Sequence, residues 1–102
     1  MAKPVVLTEI AEQDLEKVTN YLFDNWGMTV CDNFLGRFEQ MCSLLSSSPG
    51  MFPMINKKKK IRKCVLTSQN TIYYREHTDK IEIITIFDTR QDPDILGGLL
   101  NS

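Results

Sequence analysis

At 102 residues the chain has the length of one domain and no room for a second core. Its 42% hydrophobic and 25% charged residues are ordinary globular values, which exclude both a disordered chain and a membrane-spanning one. The 12 basic and 13 acidic residues nearly cancel to a net charge of -1, yet they are segregated along the chain, which keeps an anionic partner open at one end.

In chain order, Pro4-Val5-Val6-Leu7 reads as a short strand whose proline suits a first position or a sheet edge. Three consecutive apolar residues there are too few for a signal-peptide core, and no run approaches the ~18 apolar residues of a membrane helix. The chain is therefore expected in the cytoplasm, without a membrane partner. Thr8 is placed to cap a helix on which Ala11, Leu15, Val18, Leu22 and Trp26 share one side. Trp26 is accordingly assigned to the hairpin core. Glu9 and Glu12 oppose the positive end of that helix, and Gly27 is a left-handed stop.

A second helix is expected from Thr29, because Thr29-Val30-Cys31-Asp32 has the form of a capping box with aspartate in place of glutamate. Val30, Phe34, Phe38, Met41 and Leu45 supply its apolar stripe, and Ser46-Ser47-Ser48-Pro49-Gly50 ends it. So short a link between two amphipathic helices predicts an antiparallel hairpin. Residues 51 to 56 read as irregular. Beyond them the pattern becomes rich in β-branched and aromatic residues, predicting strands at Ile61–Leu66, Thr71–Glu76 and Ile81–Asp88, joined by short turns. Ile81 to Phe87 is apolar at both parities, as a central strand requires. Asp92-Pro93 begins a short terminal helix that Gly97 and Gly98 weaken.

These elements predict a single α+β domain over residues 1–102 in the order β-α-α-β-β-β. The N-terminal short strand joins a four-stranded, mostly antiparallel sheet, the antiparallel helical hairpin packs on one face, and the other face stays bare. Cys31, Cys42 and Cys64 share no ligand-like spacing and read as small core residues; His77 is the only histidine and reads as a solvated turn residue. Neither a metal site nor a cofactor is expected. The stretch before Gly27 carries Glu9, Glu12, Asp14, Glu16 and Asp24, whereas Lys57-Lys58-Lys59-Lys60-Ile61-Arg62-Lys63 has six cations and no acid. Tyr73 and Tyr74 point to opposite sheet faces, so one belongs to the core and the other to the open face, where it stacks on a base or a partner side chain.

Asp14-Leu15, Tyr21 and Trp26-Gly27, followed by Phe34, Phe38-Glu39-Gln40, Leu44-Leu45 and Pro49, resemble the helices of ParE-type members of the RelE/ParE toxins. Ile61-Arg62 through Tyr73-Tyr74, Ile81 to Ile86 and Arg90-Gln91-Asp92-Pro93 resemble that family's C-terminal sheet and closing edge. The resemblance spans nearly the whole chain. It implies a type II toxin, a plasmid-stabilisation or growth-inhibition module held in a hetero-oligomer by a cognate antitoxin, and a DNA gyrase target. The enzymatic alternative is a metal-independent, ribosome-dependent mRNA endoribonuclease with Arg62 and Arg90 as catalytic cations. Such an enzyme also needs a general acid and base. Thr71 stands where ribonuclease members tend to carry arginine, and no Tyr or His follows Arg90, so the reading leans away from an enzyme. Residues expected to meet target or phosphate are Lys57, Lys59, Lys60, Arg62, Lys63, Tyr74 and Arg90. A non-toxic nucleic-acid-binding module using the lysine run is the third reading, and its mark is steep salt dependence.

Overall fold

The computed structural model describes residues 2–101. The elements follow in the order β1 (Val5–Leu7), α1 (Glu9–Trp26), α2 (Met28–Ser47), a 3₁₀ turn (Pro49–Met51), β2 (Met54–Asn56), β3 (Ile61–Val65), β4 (Asn70–Glu76), β5 (Ile81–Asp88) and α3 (Pro93–Leu100). One sheet holds the strands in the spatial order β1-β5-β4-β3-β2. β1 runs parallel to β5 and the other neighbours are antiparallel. The strand with apolar residues at both parities is thus paired on both sides, with side chains buried on both faces.

The sheet has five strands where four were expected, because Met54–Asn56 joins as an edge strand. Three residues are too few to display an alternating pattern; their strand state comes from pairing with β3, Met54 opposite Arg62 and Asn56 opposite Ile61 across a bulge. The lysine run is therefore the tip of a hairpin. Asn56 Oδ1 accepts the Lys59 backbone N–H at 2.9 Å, and Lys60 takes a φ of 59°, uncommon for a residue with a Cβ.

Thr8 caps α1 as expected, accepting the Ala11 N–H at 3.1 Å while its own hydroxyl donates to the Ile84 carbonyl at 2.6 Å. A second tie from α1 to β5 comes from Asp14, whose carboxylate accepts the Thr85 hydroxyl at 2.6 Å and the Ile86 N–H at 3.1 Å. Gly27, at φ 89°, both ends α1 and opens α2. That single residue reverses the chain, so α2 starts at Met28 with no side-chain cap and Thr29 lies inside the helix. Trp26 departs from its expected place in the core: it is 66% exposed. Val18 and Leu22 still pack against the core, whereas Trp26 is the last residue of α1, at the turn of the hairpin.

The first core lies between hairpin and sheet, where Ala11, Phe34, Phe38 and Leu45 meet Cys64, Ile72, Tyr74, Ile81, Ile83 and Ile86. Cys31 and Cys64 are buried and Cys42 is half-buried. Burial pushes the Cys42 and Cys64 thiols up to about 11, so both stay protonated at neutral pH. A second core occupies the opposite face, and it overturns the expectation of a bare sheet. Ile61, Tyr73 and Phe87 are covered by Leu96, Leu99 and Leu100 of α3. Those leucines recur at helical spacing, Asp92 caps the helix by accepting the Asp94 N–H at 2.9 Å, and Pro93 occupies its first turn. Packing on the sheet outweighs the poor helix propensity of Gly97-Gly98.

A Cβ added at Gly97 or Gly98 meets nothing within 4 Å, and neither carries a positive φ. Gly97→Ala and Gly98→Ala are each expected to stabilise the protein by about 0.5–1 kcal/mol. A higher urea midpoint and slower amide exchange in α3 would register the gain; a fall in midpoint would contradict it.

Candidate functional site

Lys57, Lys58, Lys60 and Lys63 are exposed around the β2–β3 hairpin. Lys59 differs: it is half-buried and its Nζ donates to the Leu100 carbonyl at 3.4 Å, a cation at the C-terminus of α3. Arg62 points toward the hairpin side of the sheet. Its Nη1 donates to the Phe52 carbonyl at 2.7 Å and to that of Gly50 at 3.4 Å, clamping the chain as it leaves the 3₁₀ turn. An open hollow of about 320 Å³ brings Arg62 together with Lys3, Lys60, Glu76 and His77. Within it Lys3 pairs with Glu76 at 2.7 Å and donates to the His77 carbonyl at 2.9 Å. His77 is half-buried rather than fully solvated, its Nε2 3.1 Å from Glu82 Oε1.

Tyr74 does not reach any open surface, contrary to its expected part in target binding. It is fully buried, its hydroxyl donates to the Pro49 carbonyl at 2.5 Å, and its ring meets Phe52 edge-to-face at 6.4 Å. Desolvation pushes its phenol up to about 12. Tyr73, on the other face, is buried beneath α3. With β4 paired on both edges and covered on both faces, neither ring is available to stack on a partner.

Arg90 lies just beyond β5 and closes on Asp88 through Nε at 3.0 Å and Nη2 at 2.7 Å, while its backbone N–H also donates to Asp88 at 2.9 Å. The hydrogen bonds from Arg90 hold the Asp88 carboxyl below its ordinary value. This pair borders a cleft of about 210 Å³ between α1 and the end of the sheet, with Asp14, Lys17, Tyr21 and Asn70. Asp14, the other carboxylate there, is already engaged by Thr85 and Ile86.

The two arginines are not brought together. Arg62 stands opposite Tyr74, and Tyr74 opposite Ile83, whereas Arg90 follows Asp88 at the far end of β5. The strand from Ile83 to Asp88 alone spans roughly 17 Å. A scissile phosphate held by one is out of reach of the other. Among the described residues no group of three His, Cys, Asp or Glu side chains is arranged to hold a metal ion, and no helix is long and apolar enough to cross a membrane.

What sequence reasoning missed is the surface at the turn of the hairpin, where Tyr21, Phe23, Trp26 and Met28 are all exposed. A signal was present: Tyr21, Leu22, Phe23 and Trp26 cannot all share one helical face.

A family model described as the ParE toxin of the type II toxin-antitoxin system parDE matches residues 5–93. Comparison with curated proteins finds no match. Among solved structures, one titled "Chromosomal ParDE TA system from P. aeruginosa" aligns with a TM-score of 0.71 and 13% identity, covering 85% of this chain and 96% of that one. At that identity the likeness is one of fold.

Proposed function

From the premise that this chain belongs to the ParE toxin family and is the toxin component of a type II toxin-antitoxin system, we propose that it acts by binding a protein target, DNA gyrase, and is neutralised by a cognate antitoxin. The observation that carries the binding reading is the separation of Arg62 from Arg90 along the sheet. An endoribonuclease acting at one phosphate needs cations, base and acid within hydrogen-bond reach of the same reacting atoms. Here Arg62 is engaged by backbone carbonyls, Lys3 by Glu76, His77 by Glu82 and Arg90 by Asp88. The gyrase target itself is supported by the ParE-type character of the helices.

In this reading Lys57, Lys60 and Lys63, three of the exposed cations around the β2–β3 hairpin, meet acidic groups of target or antitoxin, and Arg90 contributes at the opposite end. Lys59 and Arg62 act by holding the tail and the 3₁₀ turn. The test is a supercoiling assay with purified gyrase and antitoxin-free protein. Supercoiling is expected to stop at concentrations that arrest growth, and replication to halt before translation. Untouched supercoiling, or transcripts cut in a pattern that Arg90→Ala abolishes, would overturn the proposal.

A further inference from the structure

We infer that the cleft between α1 and the end of the sheet binds an adenine mononucleotide, with Asn70 reading the base and Lys17 and Arg90 meeting the phosphate. Asn70 opens β4 opposite Asp88 and is only 8% exposed. Its Nδ2 donates to Thr67 Oγ1 at 3.0 Å, which fixes the amide, and its Oδ1 is buried with no hydrogen-bond partner. Buried side-chain acceptors are nearly always satisfied, so this one marks a place where a donor from outside the chain fits. Asn70 lines the cleft of about 210 Å³ together with Val18, Leu22 and Ile86, and it also lines a neighbouring hollow of about 370 Å³ beside Arg37. The residue with the unpaired oxygen thus stands where two open spaces meet.

Size and charge select the ligand. At about 210 Å³ the cleft falls below the roughly 300 Å³ at which pockets for drug-sized molecules begin, so it takes a single ring system. Val18, Leu22 and Ile86 give that ring apolar walls, and Tyr21 supplies an aromatic side chain on which a base stacks. Of the four charged residues lining the cleft, Asp88 is closed by Arg90, and Asp14 is engaged by Thr85 and Ile86. Lys17 is exposed and forms no ion pair among the described residues, so the uncompensated charge at the rim is positive. The ligand that fits carries an N–H donor on a flat heterocycle and an anion at its other end. Adenine has the edge that a fixed asparagine amide pairs with: its amino group donates to Oδ1 and its ring nitrogen accepts the second Nδ2 hydrogen. A nucleotide adds the phosphate.

The probe is AMP, titrated into the full chain and followed by calorimetry and by backbone amide NMR. Saturable binding is expected, with shifts centred on Lys17, Leu22, Asn70 and Arg90. IMP presents two acceptors on the edge where AMP presents a donor and an acceptor, and is expected to bind more weakly by about tenfold or more. Adenosine lacks the phosphate, so its binding is expected to be weaker and insensitive to salt, whereas that of AMP falls as salt rises. Lys17→Glu, at an exposed position, is expected to weaken AMP by about tenfold and to leave adenosine unchanged. Asn70→Ala should abolish the preference for AMP over IMP; it also removes a tie to Thr67, so its fold is checked by circular dichroism, and Lys17→Glu carries the test if that variant does not fold. Absent binding, equal affinity for AMP and IMP, or indifference to Lys17→Glu would overturn the inference. So would shifts at Lys57 to Lys63 matched by inorganic phosphate, since the lysine run would then hold the ligand, or tighter binding of a short oligoadenylate, since the cleft would then serve a strand. None of these outcomes depends on whether gyrase is the target.

Discussion

Replacing Tyr74 by alanine is expected to lower the unfolding free energy by about 3–5 kcal/mol, the range for truncating a large side chain in a packed core. The ring is fully buried among Phe52, Cys64 and the isoleucines of β4 and β5, and its hydroxyl supplies the Pro49 carbonyl. Tyr74→Phe keeps the packing and leaves that carbonyl without its donor, at an expected cost of about 1–2 kcal/mol. Urea unfolding of the three proteins measures both. Alanine and phenylalanine variants of equal stability to wild type would mean that the ring is not in the core at all. Since Tyr74→Phe keeps the fold, it should also keep growth arrest, and a toxin silenced by loss of the hydroxyl alone would restore the tyrosine to the target-binding set.

The same residue predicts an alkaline limit. Tyr74 has its folded pKa raised from 10.0 to about 12, and Cys42 and Cys64 theirs from 9.0 to about 11. In each case burial favours the neutral form, so the stabilisation is complete below the unfolded pKa and is lost as pH rises toward the folded one. Stability should therefore fall between pH 9 and 12, and Tyr74→Phe should flatten the upper part of that decline.

Ending the chain after Gln91 is the second change with a large expected effect. It removes Leu96, Leu99 and Leu100 from the outer sheet face and uncovers Ile61, Tyr73 and Phe87. It also takes away the Leu100 carbonyl that Lys59 meets. Three half-buried leucines at about 1 kcal/mol each give an expected loss of roughly 3 kcal/mol, and the exposed apolar face should bind a hydrophobic dye and self-associate. A truncated protein that stays monomeric, dye-free and as stable as the full chain would show that α3 does not close the second core.

Much of this molecule is local in origin. Thr8 caps α1 because a hydroxyl three residues before the first buried position needs only the helix it begins. Gly27 turns the hairpin because a φ of 89° costs glycine nothing, and β5 is legible from Ile81 to Asp88 because a strand covered on both faces is apolar at both parities. The acidic hairpin and the cationic run are likewise facts of composition along the chain.

Non-local pairing decided the rest. Met54–Asn56 is a strand only because β3 offers it hydrogen bonds, and Pro93–Leu100 stays helical through Gly97-Gly98 because Ile61, Tyr73 and Phe87 need a cover. A periodic pattern records which residues share a side; it does not record what that side will face. Hence Trp26 could be given to the core and found in water, and Arg62 and Arg90 could be imagined on one phosphate when strand register sets them at opposite ends of the sheet.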